Sequence, residues 1–206
     1  MEMQFKDRGF LSTWYLNMVT FDREDNLWCV GTSNNIGKWN SRTFGLVDKK
    51  EYNQSWDSKM IAFDKSNAMW GVGTKGNLAK WNTTTGAWEE PHIEKPWPLK
   101  MIAFDNSGEM WCVGADSNVG KWNPIDNKWD DQGDLGGWKL DWIAFRPGDP
   151  RGDIYCVDTS GKLGLYDPKF PNDTFHIASN FECKSLYFHE IFGFCVGNKG
   201  NMGVSI

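Results

Sequence analysis

Tryptophan recurs at Trp14, Trp56, Trp97 and Trp138, and asparagine at Asn35, Asn77, Asn118 and Asn201. By type, these are the residues best suited to bind something. An indole offers a flat apolar face. A short carboxamide offers a donor and an acceptor on one group. Together they suit a compact ligand with one apolar ring face and a rim of hydroxyls. Asn also favours tight turns, and an aromatic ring entering a strand also packs well, so each series has a structural reading beside the binding one. Lys162 replaces the amide in a fourth copy and Phe181 replaces the indole in a fifth. A third series, Lys38, Lys80 and Lys121, reads as a solvated strand edge.

Catalytic chemistry finds less support. Paired carboxylates around a channel would suit glycoside hydrolysis. The acids near the starts of first strands are Asp57, Asp141 and Glu182, but they share no single repeat position, because Asp141 aligns with Lys59 and Lys100. Asp22, Asp64 and Asp105 follow an anchor Phe in a turn. His92, His176 and His189 share no position and sit beside no evident nucleophile. The expectation is therefore no enzyme, no catalytic residue, no cofactor and no metal. Of the five cysteines, Cys29, Cys112, Cys156 and Cys195 occupy one repeat position, where another copy has Gly71. That is a small buried slot. With no CxxC and no Cys/His cluster, all five, Cys183 included, are expected to be free thiols.

The elements that must position these residues repeat. Segments MVTFDREDNLWCVGTSNNIGKWN, MIAFDKSNAMWGVGTKGNLAKWN, MIAFDNSGEMWCVGADSNVGKWN, WIAFRPGDPRGDIYCVDTSGKLGLYD and SLYFHEIFGFCVGNKGNMGVSI align on Phe21, Phe63, Phe104, Phe145 and Phe188. A repeat of about forty residues is the first thing to settle in a sequence. Each copy holds a MIAF-type strand, a polar turn, a WCVG-type strand, a second turn with Asn or Gly for positive φ, and a GKWN-type strand. A fourth strand carries Phe44, Trp88, Trp129 or Phe175. Four short antiparallel strands per copy make a propeller blade. The reading is all-β: one domain over 1–206, five blades at about 10–49, 50–91, 92–133, 134–177 and 178–206 plus 1–9.

The last copy ends after three strands. Phe5 stands nine residues ahead of Trp14, as Trp129 stands nine ahead of Trp138. Residues 1–9 should therefore supply the missing outer strand and close the ring, leaving no open sheet edge.

Thirteen Trp and thirteen Phe in 206 residues give ample aromatic mass to fill the space between wedge-shaped sheets. The net charge of −5 offers no basic field for phosphate backbones or an anionic membrane. No apolar run is long enough to span a bilayer. The opening MEMQFKDRGF lacks a signal-peptide stretch, so the chain as written reads as cytoplasmic, with a processed precursor or a granule or other non-classical route of secretion left open. Arg151-Gly152-Asp153 spells an adhesion tripeptide inside an expanded turn. Triplets at Asn53, Asn82 and Asn172 fit glycosylation acceptors and matter only in a secreted chain.

The pattern W-x-x-x-M-I-A-F-D-x-x-x-x-M-W-x-V-G-x-x-x-N-x-G-K-W-N resembles tectonin and tachylectin repeats. That resemblance implies a five-bladed lectin of innate defence, with one site per blade for N-acetylated hexosamines (GlcNAc or GalNAc). The sugar would lie at the rim between blades, stacked on Trp14, Trp56, Trp97 or Trp138 and bonded by Asn35, Asn77, Asn118 or Asn201. Such weak repeated sites would gain by avidity on a glycan array. The endings Trp39-Asn40, Trp81-Asn82, Trp122-Asn123 and Tyr166-Asp167 look instead like WD-repeat blades, whose implied role is a protein-interaction scaffold with protein partners on the rim. No Gly-His pair precedes the first strand, and the near-identical rims of the first three copies favour the glycan reading.

Overall fold

A computed structural model describes residues 2–9, 14–40, 42–53, 56–167 and 174–205. Two short strands open the chain, β1 (Glu2–Met3) and β2 (Phe5–Asp7). Blade one follows as β3 (Leu16–Phe21), β4 (Leu27–Gly31), β5 (Ile36–Asn40) and β6 (Gly45–Asp48), then a 3-10 turn at Lys50–Asn53. Blade two is β7 (Ser58–Phe63), β8 (Met69–Gly73), β9 (Leu78–Asn82) and β10 (Ala87–Glu89). Blade three is β11 (Leu99–Phe104), β12 (Met110–Gly114), β13 (Val119–Asn123) and β14 (Lys128–Gly133). Blade four is β15 (Leu140–Phe145), β16 (Ile154–Asp158), β17 (Leu163–Tyr166) and β18 (Thr174–Ser179). Blade five is β19 (Cys183–His189), β20 (Phe192–Gly197) and β21 (Met202–Ser205), completed by β2.

Every blade is a sequential antiparallel meander, and the first strands pack against one another around the axis. The chain is the five-bladed all-β propeller that its repeat spells. Closure also follows the sequence: Phe5 lies opposite Ser205 and Asp7 opposite Gly203. A further device was not legible. β1 runs parallel to β18 and adds a fifth strand to blade four, so the N-terminal segment ties blades four and five together.

The turns explain why each blade forms where it does. In blade two, Asp64 Oδ1 accepts the backbone N–H groups of Ser66 and Ala68, and its Oδ2 accepts the indole N–H of Trp70 at 3.0 Å. Asp22 with Trp28 and Asp105 with Trp111 repeat the arrangement. One carboxylate thus fixes the first turn and aims the ring of the second strand. The lysine series differs from its reading as a solvated edge. Lys38, Lys80 and Lys121 lie over Trp28, Trp70 and Trp111 at 5.0, 5.0 and 5.4 Å and pair with Asp22, Asp64 and Glu109. Stacking on the indole covers the lysine stem while the ammonium reaches the turn carboxylate.

Between the blades the core is layered. Val30, Val72 and Val113 are fully buried at one repeat position, with Met18, Met60 and Met101 at another. Cys29, Cys112 and Cys156 fill the expected slot as free, buried thiols, and burial pushes the first and last up to about 12. The expectation of five free thiols fails at the fifth blade, where Cys183 and Cys195 form a disulfide. Cysteines at equivalent positions in different blades are indeed separated by the ring. Cys183, however, lies on the first strand of the same blade as Cys195, and their Cα atoms are 5.7 Å apart. Adjacent antiparallel strands bring such pairs within bonding range.

Phe44 is not the fourth-strand ring of blade one. It sits in the turn at φ 51°, 79% exposed, and Leu46 lies opposite Trp39 instead. The backbone of Phe175 pairs with Leu165 as expected, but its side chain lies outside the described residues. Most of the Asn172 triplet and most of the Asn53 triplet also lie outside them, whereas Asn82 uses its carbonyl oxygen to accept Thr84 N–H. Asp153 of the Arg-Gly-Asp tripeptide is fully buried and ion-paired with Arg151, so an adhesion receptor could not reach it. Among the described residues no helix is long and apolar enough to cross a membrane.

Candidate functional site

The two faces of the ring differ. One carries the turns between second and third strands and the connectors between blades. The other carries the first-to-second-strand turns. Each nominated residue lies on the first face, and the structure assigns each a definite local task.

The strand-opening aromatics are wedged rather than displayed. Trp14, Trp56, Trp97 and Trp138 are all half-buried. Each covers a glycine of its own blade. A Cβ on Gly37 would lie 2.9 Å from Trp14, one on Gly73 3.0 Å from Trp56, one on Gly120 3.1 Å from Trp97, and one on Gly164 2.5 Å from Trp138. In blades one, three and four that glycine lies on the third strand and admits the ring; in blade two the third strand has Ala79 there, and Trp56 covers the second-strand Gly73 instead. The outer side is covered in places too: Trp56 stacks on Trp88 at 5.9 Å, and His176 lies over Trp138 at 4.6 Å.

The asparagines are engaged as well. Asn77 Nδ2 donates to Glu90, just past the fourth strand, and Asn201 Nδ2 donates to Asp7 on β2, in each case linking the second turn to the outer edge of the blade. Asn35, Asn77 and Asn201 also turn their carbonyl oxygens back over Gly31, Gly73 and Gly197. Asn118 differs, since its backbone N–H donates to Asp116. Sequence reasoning missed the acidic partners Glu90 and Asp7, although both stand two residues beyond the fourth-strand aromatic.

A groove of about 410 Å³ opens on this face where blade four meets blade five. Its walls are the second turn of blade four (Gly161, Lys162) and the connector (Asn180, Phe181, Glu182), with His176, Ile177 and Leu163 between them. Lys162, His176 and Glu182 are exposed, while Ile177 and Leu163 are buried beneath. The Asn180 amide is committed elsewhere, as it accepts Phe5 N–H at 2.8 Å and donates to Phe5 O at 3.0 Å.

The opposite face holds a funnel of about 360 Å³ on the ring axis, with Phe21, Phe63, Phe104 and Phe145 around its mouth and Met18, Met60 and Met101 deeper. His189 stacks on Phe21 at 4.2 Å there. Beside it, between blades one and two, a groove of about 440 Å³ is lined by Trp28, Tyr52, Trp81, Asn82 and Glu89. Among the described residues no group of three His, Cys, Asp or Glu could hold a metal ion.

No family model and no curated protein matches the chain. Solved structures do. Virginiamycin B lyase from Staphylococcus aureus is 15% identical with a TM-score of 0.56, over 91% of this chain and 65% of that one. A gluconolactonase from Xanthomonas campestris is 9% identical with a TM-score of 0.63, over 95% of this chain and 87% of that one. The extracellular domain of a hybrid two component system from B. thetaiotaomicron is 10% identical with a TM-score of 0.55, over 92% of this chain and 26% of that one. The chain thus spans about 65% of the length of the lyase it matches. At these identities the likeness is one of fold. The resemblance to tachylectin and tectonin repeats therefore holds for the propeller and no further, since these neighbours are two enzymes and the extracellular domain of a two component system. The expectation that the chain is not an enzyme is also overturned. Its fold neighbours include a lyase and a lactonase, so catalysis is at home on this architecture.

Proposed function

We propose that the chain recognises carbohydrate at the rim between blades, with N-acetylated hexosamines as the ligand class. The observation that carries this reading is the groove between blades four and five, formed by the two loop sets that the repeat nominates. His176, tilted against Trp138, and the ring of Phe181 offer apolar faces to a pyranose. Lys162 donates to hydroxyls and Glu182 accepts from them. Ile177 and Leu163 supply the apolar contact that an acetamido methyl needs. The frames of Trp14 with Asn35, Trp56 with Asn77 and Trp97 with Asn118 lie outside this groove, and the Asn77 amide is already paired with Glu90. Asn201, paired with Asp7 beside Phe181, completes the series.

Calorimetric titration with N-acetylglucosamine and N-acetylgalactosamine tests the reading. Binding that weakens at least tenfold in both Lys162→Ala and His176→Ala supports it. Absence of heat with either sugar in folded protein refutes it and favours a protein partner on the same rim.

A further inference from the structure

The first strand of every blade carries an irregularity at the same place. Register slips between Leu16 and Met18, Ser58 and Met60, Leu99 and Met101, Leu140 and Trp142, and Cys183 and Ser185. The residues inside these slips are Asn17, Lys59, Lys100, Asp141 and Lys184. A β-bulge leaves its extra residue unpaired and re-aims its side chain. Five bulges therefore turn five polar side chains out of the ladder at one level of the innermost strands, on the face of the ring that carries the rim groove.

The hydrogen bonds run around the ring. Lys59 Nζ donates to Leu99 O of the next blade at 2.6 Å. Lys100 Nζ donates to Leu140 O at 2.7 Å, Asp141 Oδ1 at 2.8 Å and Ser117 Oγ at 2.9 Å. Lys184 Nζ donates to Asn17 Oδ1, and Asn17 Nδ2 passes on to Gly31 O. Three lysines and one aspartate give this circle a charge of +2 in a chain of −5. Among the described residues, only Lys100 of these lysines has a carboxylate partner. Lys59 and Lys184 make no ion pair among the described residues and are held by neutral oxygens. Both are pushed below the ordinary lysine value by burial, and Lys59 also by the charge of Lys100.

We propose that this lysine circle at the start of the innermost strands is a binding site for a compact anion carrying two or more charges, such as a phosphoryl or polycarboxylate group. An ammonium has three donors, and Lys59 and Lys184 each spend one within the ring. Like charges gathered at one level of the ring add to a positive potential there. A dianion there offsets that repulsion and gives each free donor an acceptor. The site is independent of the sugar reading and involves none of its residues.

The probes are pyrophosphate and citrate, added at constant ionic strength, with calorimetry and thermal unfolding as readouts. One saturable site per chain is expected for at least one of them, and the two arms separate a phosphoryl ligand from a polycarboxylate. Lys59→Gln and Lys184→Gln keep a donor for the inter-blade bond and lose the charge, so each should weaken binding at least tenfold, while Lys75→Gln on an outer turn leaves it unchanged. No saturable binding of either probe to folded protein overturns the proposal, as does undiminished binding in the Lys59→Gln, Lys184→Gln double variant. Lysine side-chain NMR of the unmodified protein gives a second check that needs no variant: the probe must raise the pKa of Lys59 and Lys184, and unmoved titrations also overturn it.

Discussion

The carboxamide of Asn180 brackets the peptide of Phe5, accepting its N–H at 2.8 Å and donating to its carbonyl at 3.0 Å. A side chain at the junction of blades four and five thus serves as one rung of a sheet for the segment that closes the ring. Phe5 itself is buried beside Phe181. Deleting residues 1–9 should remove the outer strand of blade five and the β1 strap on blade four together, lowering the melting temperature sharply. Asn180→Ala alone should cost about 1 kcal/mol, since two half-buried backbone groups lose their partner. An unchanged denaturation curve for the truncated chain would sink the closure argument.

The Cys183–Cys195 bond ties the two innermost strands of that same blade. The outer strand of that blade, β2, is supplied from the other end of the chain and pairs with β21. Reduction, or Cys183→Ser, should cost about 2–4 kcal/mol by the usual effect of a disulfide on the unfolded chain. Mass spectrometry of unreduced protein should find one bridge, and thiol titration should find Cys29, Cys112 and Cys156 reactive only after unfolding.

Acid should weaken the first three blades. Burial raises the carboxyls of Asp22, Asp64 and Asp105, but hydrogen bonds outweigh it and hold all three below the ordinary 3.8: the Ser66 and Ser107 hydroxyls at Asp64 and Asp105, the Asn26 amide at Asp22, and the indole and backbone N–H groups at all three. A carboxyl depressed in the folded state stabilises fully above its unfolded value, and that contribution is lost as pH falls through the folded value. Stability should therefore be level from neutrality to about pH 4 on this account and decline below it. Asp64→Asn should flatten part of that decline in a series of melting curves recorded across the acid range.

Gly164 and Trp138 should behave as one unit. A Cβ at Gly164 meets the indole at 2.5 Å, so Gly164→Ala should destabilise by about 1–3 kcal/mol through overpacking. Trp138→Leu in the Gly164→Ala background should recover part of the loss. Strict additivity in this double-mutant cycle would show that the ring does not fill the space the glycine leaves.

The sequence by itself determined the blade count, the order of strands and the closure by residues 1–9. Those features rest on local rules: alternation of period two, turn residues needing positive φ, and a spacing of nine residues that Phe5 shares with Trp129. It also placed Asp22, Asp64 and Asp105 in turns and Cys29, Cys112 and Cys156 in a buried slot. Only the tertiary structure decided the rest. The Cys183–Cys195 bond, the stacking of Lys38, Lys80 and Lys121 on indoles, and the replacement of Phe44 by Leu46 opposite Trp39 all depend on which residue of one strand faces which of the next. One residue of slip reverses that facing, and composition does not record it. The circle of Asn17, Lys59, Lys100, Asp141 and Lys184 is the clearest case. Their shared repeat position is visible in the chain, but mixed charges at one position read as noise until five bulges and the closed ring bring them together.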